Sequence, residues 1–110
     1  MKNNIAILSN EGEFCMNLVS ISLSQSHDLF FPKKQSDIID LNVKLAIIDL
    51  NDNSIMPFNI VKGDFLLIGV MNKLNKKIEE RARDAGYDIT FTKKMLLKNF
   101  KTIIRQLDIG

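Results

Sequence analysis

Asp49 closes the run Lys44-Leu45-Ala46-Ile47-Ile48-Asp49, an apolar stretch that stops on a carboxylate. A run with no polar alternation suits a strand buried on both faces of a parallel sheet. In open α/β sheets the functional crevice lies outside the carboxyl ends of the strands, so this acid stands where chemistry usually takes place. Its neighbours decide what it can do. Other reactive side chains are sparse. Cys15 shares an apolar helix face with Leu18 and Val19 and reads as packing, and His27 reads as a surface or strand-end histidine. No Gly-x-Gly-x-x-Gly, P-loop, Gly-x-Ser-x-Gly or His/Cys metal spacing occurs. Nothing here supports an enzyme, and no catalytic residue is assigned.

The elements that must position Asp49 follow from composition and period. The chain has 110 residues, 45% apolar and 25% charged, with mean hydropathy near zero. That length fits one domain, 1–110, and can bury a core without disulfides or a structural metal. A net charge of +2 is too small to argue for nucleic acid by itself. A single cysteine excludes a disulfide framework or a cysteine metal cluster, which suggests a reducing, cytoplasmic setting. The first residues lack the apolar stretch of a signal peptide, and no run approaches the about 18 apolar residues of a membrane span.

Ile5-Ala6-Ile7-Leu8 reads as a first strand, ending at Ser9-Asn10. A helix follows with Phe14, Leu18 and Ile21 or Ser22 at helical spacing, and Asn10 and Glu13 have the spacing of a capping box. His27 to Phe31 forms a second strand stopped by Pro32, and Ser36 caps a short helix through Ile38, Ile39 and Leu41. Strand three ends at Asp49. Asn51 to Ser54 is loop, and at most a turn or two of helix fits between Pro57 and Gly63. Asp64 to Met71 is strand four. Leu74, Ile78, Ala82 and Ala85 form one face of the next helix, which stops at Gly86. Asp88 to Thr92 is strand five, and Leu96, Leu97, Phe100, Ile103, Ile104 and Leu107 line a last helix. Such alternation predicts an α/β fold, a parallel sheet with helices on both faces.

In this order the segments resemble the receiver domain of two-component response regulators. The segment Ala85-Gly86-Tyr87-Asp88-Ile89-Thr90-Phe91-Thr92-Lys93 matches the family's helix end and the strand that closes on an essential lysine. Asp49-Leu50 matches its acid-ended third strand. The resemblance implies a flavodoxin-like doubly wound sheet of order 2-1-3-4-5, with Asp49 as the phosphoacceptor and Mg²⁺ held by an acidic pair after strand one. It also implies a hydroxyl residue at the end of strand four and a phosphoryl-pairing lysine, Lys93.

The chain departs from that pattern. Ser9-Asn10 stands in place of the acidic pair, Met71 in place of the hydroxyl residue, and Lys94 in place of the proline after the lysine. The segment after Asp49 is short, with Asp64 already starting strand four. Mg²⁺ wants oxygen ligands in octahedral geometry, commonly including carboxylates. Ser9 and Asn10 offer oxygen without charge, and a thioether donates nothing. The expectation is an atypical receiver, a pseudo-receiver with no metal or cofactor, in which Asp49 and Lys93 form an ion pair, Asn10 caps a helix and Met71 fills core. The alternative is a divergent receiver still phosphorylated on Asp49, with Glu11 or Asp52 as substitute metal ligand. A nucleotide or flavin binder on the same architecture is a third reading, and it lacks a glycine-rich phosphate loop.

If switching is lost, function lies in binding. Receivers usually meet partners, output domains or a second copy through the face made by the fourth helix, strand five and the final helix. Here Lys98, Lys101 and Arg105 fall at i, i+3 and i+7 and, with Lys94, form a basic stripe opposite the apolar face. That stripe suits an acidic protein partner. Aromatics do not interleave with the bases, which disfavours nucleic acid. A stand-alone adaptor and the regulatory part of a longer regulator fit the residues equally.

Overall fold

The computed structural model describes residues 3–22, 27–60 and 63–109. Five strands, β1 (Asn3–Leu8), β2 (His27–Phe30), β3 (Leu45–Asp49), β4 (Leu66–Met71) and β5 (Ile89–Thr92), form one parallel sheet of order β2-β1-β3-β4-β5. This is the expected order. Four α-helices connect and flank them: α1 (Gly12–Ser22), α2 (Ser36–Asp40), α3 (Lys76–Ala85) and α4 (Lys93–Ile109). Where a further helix would cross from β3 to β4, two short 3₁₀ turns, Asn53–Ile55 and Pro57–Asn59, stand instead.

Period-two alternation sends each strand's side chains to two cores. Ile5, Ile7, Leu45, Ile47, Ile68 and Val70 pack under α1 and α4 against Phe14, Leu18, Leu96, Phe100 and Ile104. Ala6, Leu8, Ala46, Ile48, Leu67 and Met71 pack on the other side with Ile38, Ile55, Ala82 and Tyr87. Every residue of β3 is buried, which accounts for its unbroken apolar run.

Helix ends differ in detail from the sequence reading. The Glu11 carbonyl accepts from the Cys15 amide at 3.1 Å, so α1 starts one residue later than an Asn10 cap requires, and the Asn10–Glu13 capping box does not form. Ser36 is the first residue of α2 rather than its cap. Gln35 holds that position without a side-chain cap, its amide being directed to the Ile55 and Met56 carbonyls. Leu74 does not join the buried face of α3. It is 72% exposed and precedes the helix, whose cap is Asn75, accepting from the Ile78 amide at 3.1 Å. Gly86 closes α3 in the left-handed conformation (φ 107°), as its position predicts. The Leu107 side chain lies outside the described residues.

Candidate functional site

Parity places Asp49. It continues the Leu45–Ile47 series, so its carboxylate leaves the end of β3 toward the α1 and α4 side of the sheet. Ser9, next in parity after Ile5 and Ile7, leaves the neighbouring strand end on the same side. The Ser9 hydroxyl donates to Asp49 Oδ2 at 2.8 Å. Its oxygen accepts in turn from the Glu11 amide at 3.2 Å, which fixes the turn leading into α1. The backbone amide of Asn51 donates to Asp49 Oδ1 at 3.0 Å. Asp49 is only 4% exposed, so these donors replace water that burial has removed.

Lys93 supplies the charge. It is the first residue of α4, directly after β5, where the Thr92 hydroxyl accepts from the Met95 amide at 3.2 Å and starts the helix. Its ammonium lies 2.8 Å from Asp49 Oδ2, the ion pair the sequence suggested. It also donates to the Glu11 carboxylate from the β1–α1 loop. Burial alone pulls the Lys93 ammonium down, but the hydrogen bonds and charges of Asp49 and Glu11 outweigh it, and the net direction is upward. Cys15, bonded to the Ser9 carbonyl at 3.7 Å, sits at the edge of this cluster. Burial, then the charges of Asp49 and Glu11, push its thiol upward, away from the thiolate a nucleophile needs.

The remaining switch positions do not converge. Asn10 reaches sideways instead: its amide donates to Asp52 Oδ2 at 2.5 Å and to the Ser54 hydroxyl at 3.2 Å. Asp52 also accepts from the Ser54 amide at 3.1 Å, so it serves as the cap of the first 3₁₀ turn. Met71 is fully buried in the core layer of Leu67, Ala82 and Tyr87, away from the layer that Asp49 borders. Asn51 was not singled out by the sequence, yet its side-chain oxygen Oδ1 accepts from the Asn72 backbone amide at 2.7 Å and joins the ends of β3 and β4. No pattern in the sequence marks that contact.

Among the described residues no three or more His, Cys, Asp or Glu side chains gather in a metal-ligand group. Each carboxylate at these strand ends already carries a cation or an amide donor: Asp49 and Glu11 the Lys93 ammonium, Asp52 the Asn10 amide. On α4, Lys94, Lys98, Lys101 and Arg105 are all exposed, one row along the helix. Ile89 and Met95, also exposed, sit on β5 and in the first turn of α4.

The chain matches no family model and no curated protein. Solved structures resemble it closely in backbone. A CheY-like protein, TadZ, from Pseudomonas aeruginosa superposes with a TM-score of 0.77 at 14% identity, over 96% of this chain and 98% of that one. The beryllofluoride-activated DrrB receiver domain gives 0.70 at 15% identity, over 96% and 99%. The ChxR receiver domain of Chlamydia trachomatis gives 0.66 at 10%, over 96% and 99%. The fold is therefore that of CheY-like response-regulator receiver domains. None of the helices in the described residues is long and apolar enough to cross a membrane.

Proposed function

We propose that this chain is an atypical receiver domain, a pseudo-receiver that works in signal transduction by binding protein partners and does not undergo Mg²⁺-dependent phosphorylation on Asp49. The observation that carries this reading is the saturation of Asp49. Its two oxygens are taken by Lys93, Ser9 and the Asn51 amide within a nearly closed crevice. Phosphoryl transfer depends on positioning and on charge neutralisation, much of it from metal ions. Ser9 and Asn10 bring no charge to that task, and Met71 has no hydroxyl to meet a phosphoryl oxygen.

Protein binding then falls to the surface. The basic row of Lys94, Lys98, Lys101 and Arg105, on the α3–β5–α4 side of the domain, suits an acidic partner or output domain, or a second copy offering acids. A concavity of about 300 Å³ between α3 and β5 is lined by Glu79, Arg83, Tyr87, Asp88, Ile89 and Thr90. We infer a cytoplasmic setting in a bacterial cell, a reading supported by the single cysteine and by the likeness to a receiver-fold protein of Pseudomonas aeruginosa.

One observation favours the alternative of a divergent, phosphorylatable receiver: Glu11 brings a second carboxylate to Lys93 beside Asp49. Beryllofluoride with Mg²⁺ separates the two readings. The expected amide spectrum of the unmodified protein is unchanged at Leu50, Asn51 and Lys93. Stoichiometric shifts there, spreading into α3, would establish phosphoryl chemistry at Asp49 instead.

A further inference from the structure

On the side of the sheet away from α1 and α4, the layer between α2 and α3 is thin. Two 3₁₀ turns pack there through Ile55 in place of a helix, and the second of them lies against α3. The thinning leaves apolar surface. Ile39 on α2 is 61% exposed, Met56 between the turns is 58% exposed, and Phe58 is only partly buried against the core below. Ile39 follows Gln35 by four residues, and the Gln35 amide holds the Ile55 and Met56 carbonyls, so Ile39 rises on the side of α2 that meets the crossover. An apolar patch rimmed by charge is the mark of a contact with another macromolecule.

The two sides of this patch are opposite in shape and in charge. On the α3 side Met56, Pro57, Phe58 and Arg81 line a concavity of about 160 Å³, room for a group about the size of a benzene ring. Its base is Arg81, exposed, with the guanidinium lying over the Phe58 ring. Stacking engages the plane of a guanidinium and not its N–H edges, which suit a carboxylate. On the α2 side stand a projecting side chain, Ile39, and two acids, Asp37 and Asp40, with no base in the helix. A face with a projection and acid on one side and a hollow and base on the other fits a copy of itself turned about a two-fold axis.

We propose that this face is a dimer interface between two copies of the chain. Ile39 of each copy enters the Met56–Phe58 hollow of the other, and Arg81 of each meets Asp40 of the other. The interface goes beyond the reading of Asp49 and does not depend on it, because it lies on the layer away from that carboxylate. It is also distinct from the basic row of α4, so a dimer built this way keeps two such rows open to acidic partners.

Sedimentation equilibrium of the full chain tests the proposal. The unmodified protein is expected to dimerise at about 0.5 mM, and a chain that stays monomeric there overturns it. Ile39→Glu, at an exposed position, should weaken association at least about tenfold, and an unchanged dimer overturns the proposal. Arg81→Glu should weaken it likewise, and the double variant Asp40→Arg/Arg81→Glu, which exchanges the charges across the interface, should restore it. A double variant as weak as Arg81→Glu overturns the pairing. If Arg81→Glu loses its helical circular dichroism, Asp40→Arg alone takes its place, with a weakened dimer supporting the proposal and an intact one overturning it. A dimer that Lys98→Glu breaks and Ile39→Glu spares lies on α4 and overturns the proposal as well.

Discussion

The phenol of Tyr87 donates a 2.6 Å hydrogen bond to the Pro57 carbonyl, buried beneath the two 3₁₀ turns that stand where a helix would cross from β3 to β4. Arg81 reinforces it from α3, its guanidinium 3.9 Å from the centre of the Phe58 ring. On the opposite flank Gln35 holds the Ile55 and Met56 carbonyls. A short, irregular segment is thus fixed at successive residues by three different elements, which compensates for the helical hydrogen bonds it lacks. It also keeps Met56 in the left-handed region (φ 51°), a conformation costly for a side-chain-bearing residue.

Tyr87→Phe removes the only polar atom of that ring and leaves a buried carbonyl without its donor. The expected loss is about 1–2 kcal/mol at neutral pH, since an unsatisfied buried acceptor costs more than the net value of a hydrogen bond. Urea unfolding of the two proteins checks it. A loss within error would mean that water reaches Pro57.

Gly69→Ala tests how tightly the same region is packed. A Cβ at position 69 would lie 2.7 Å from Leu50 Cδ1 and 3.0 Å from Tyr87 Cδ2. Leu50 and Tyr87 are both nearly fully buried and cannot swing into solvent. Overpacking of this kind costs about 1–3 kcal/mol. Thermal unfolding should show the melting temperature falling, and an unchanged value would show that Leu50 has room to move.

Alkaline stability follows from two groups. Burial pushes the Tyr87 phenol far above its ordinary range, and Asp49 with Glu11 raise Lys93 despite the opposing effect of burial. Both hold their protons more tightly folded than unfolded. The unfolded chain therefore loses protons first, and stability falls as pH rises. It should be flat through neutral pH and decline above about 10, where unfolded Tyr and Lys titrate. Urea midpoints from pH 8 to 11.5 measure the slope, which Tyr87→Phe should lessen.

Asp49→Asn and Lys93→Met should not cost the same. Without Asp49's charge, Lys93 still has Glu11, and about 1 kcal/mol is expected. Without Lys93, Asp49 is left as a buried charge with only Ser9 and the Asn51 amide. Breaking a buried pair this way costs about 3 kcal/mol, the low end of the usual range because those two donors remain. Denaturation in a chelating buffer gives the order, and equal costs would remove Glu11 as a partner of Lys93.

Local pattern carries most of this fold. The unbroken run of β3, the helical spacing of Phe14, Leu18 and of Leu96, Phe100, Ile104, and the Gly86 stop each depend on residues a few positions apart. Alternation of such elements made the parallel sheet and the strand-end position of Asp49 legible in advance, while the sheet order came from likeness to the receiver family. The pairing of Asp49 with Lys93 came from likeness to a family and not from period. Asn10 and Ser36 were misread because hydroxyl and amide side chains near a helix start have several partners within reach, and spacing cannot choose between them.

The amino-acid order alone determined a parallel α/β domain with a carboxylate at the end of its third strand and a lysine after its fifth. Only the tertiary structure decided that Glu11 would meet Lys93 across 82 residues, that Asn10 would hold Asp52, and that Met71 would sink into the layer away from Asp49. The reason is physical. Burial periodicity is written in neighbours along the chain, whereas charge contacts at strand ends depend on sheet register and loop path, which bring together residues whose sequence positions carry no mark of one another.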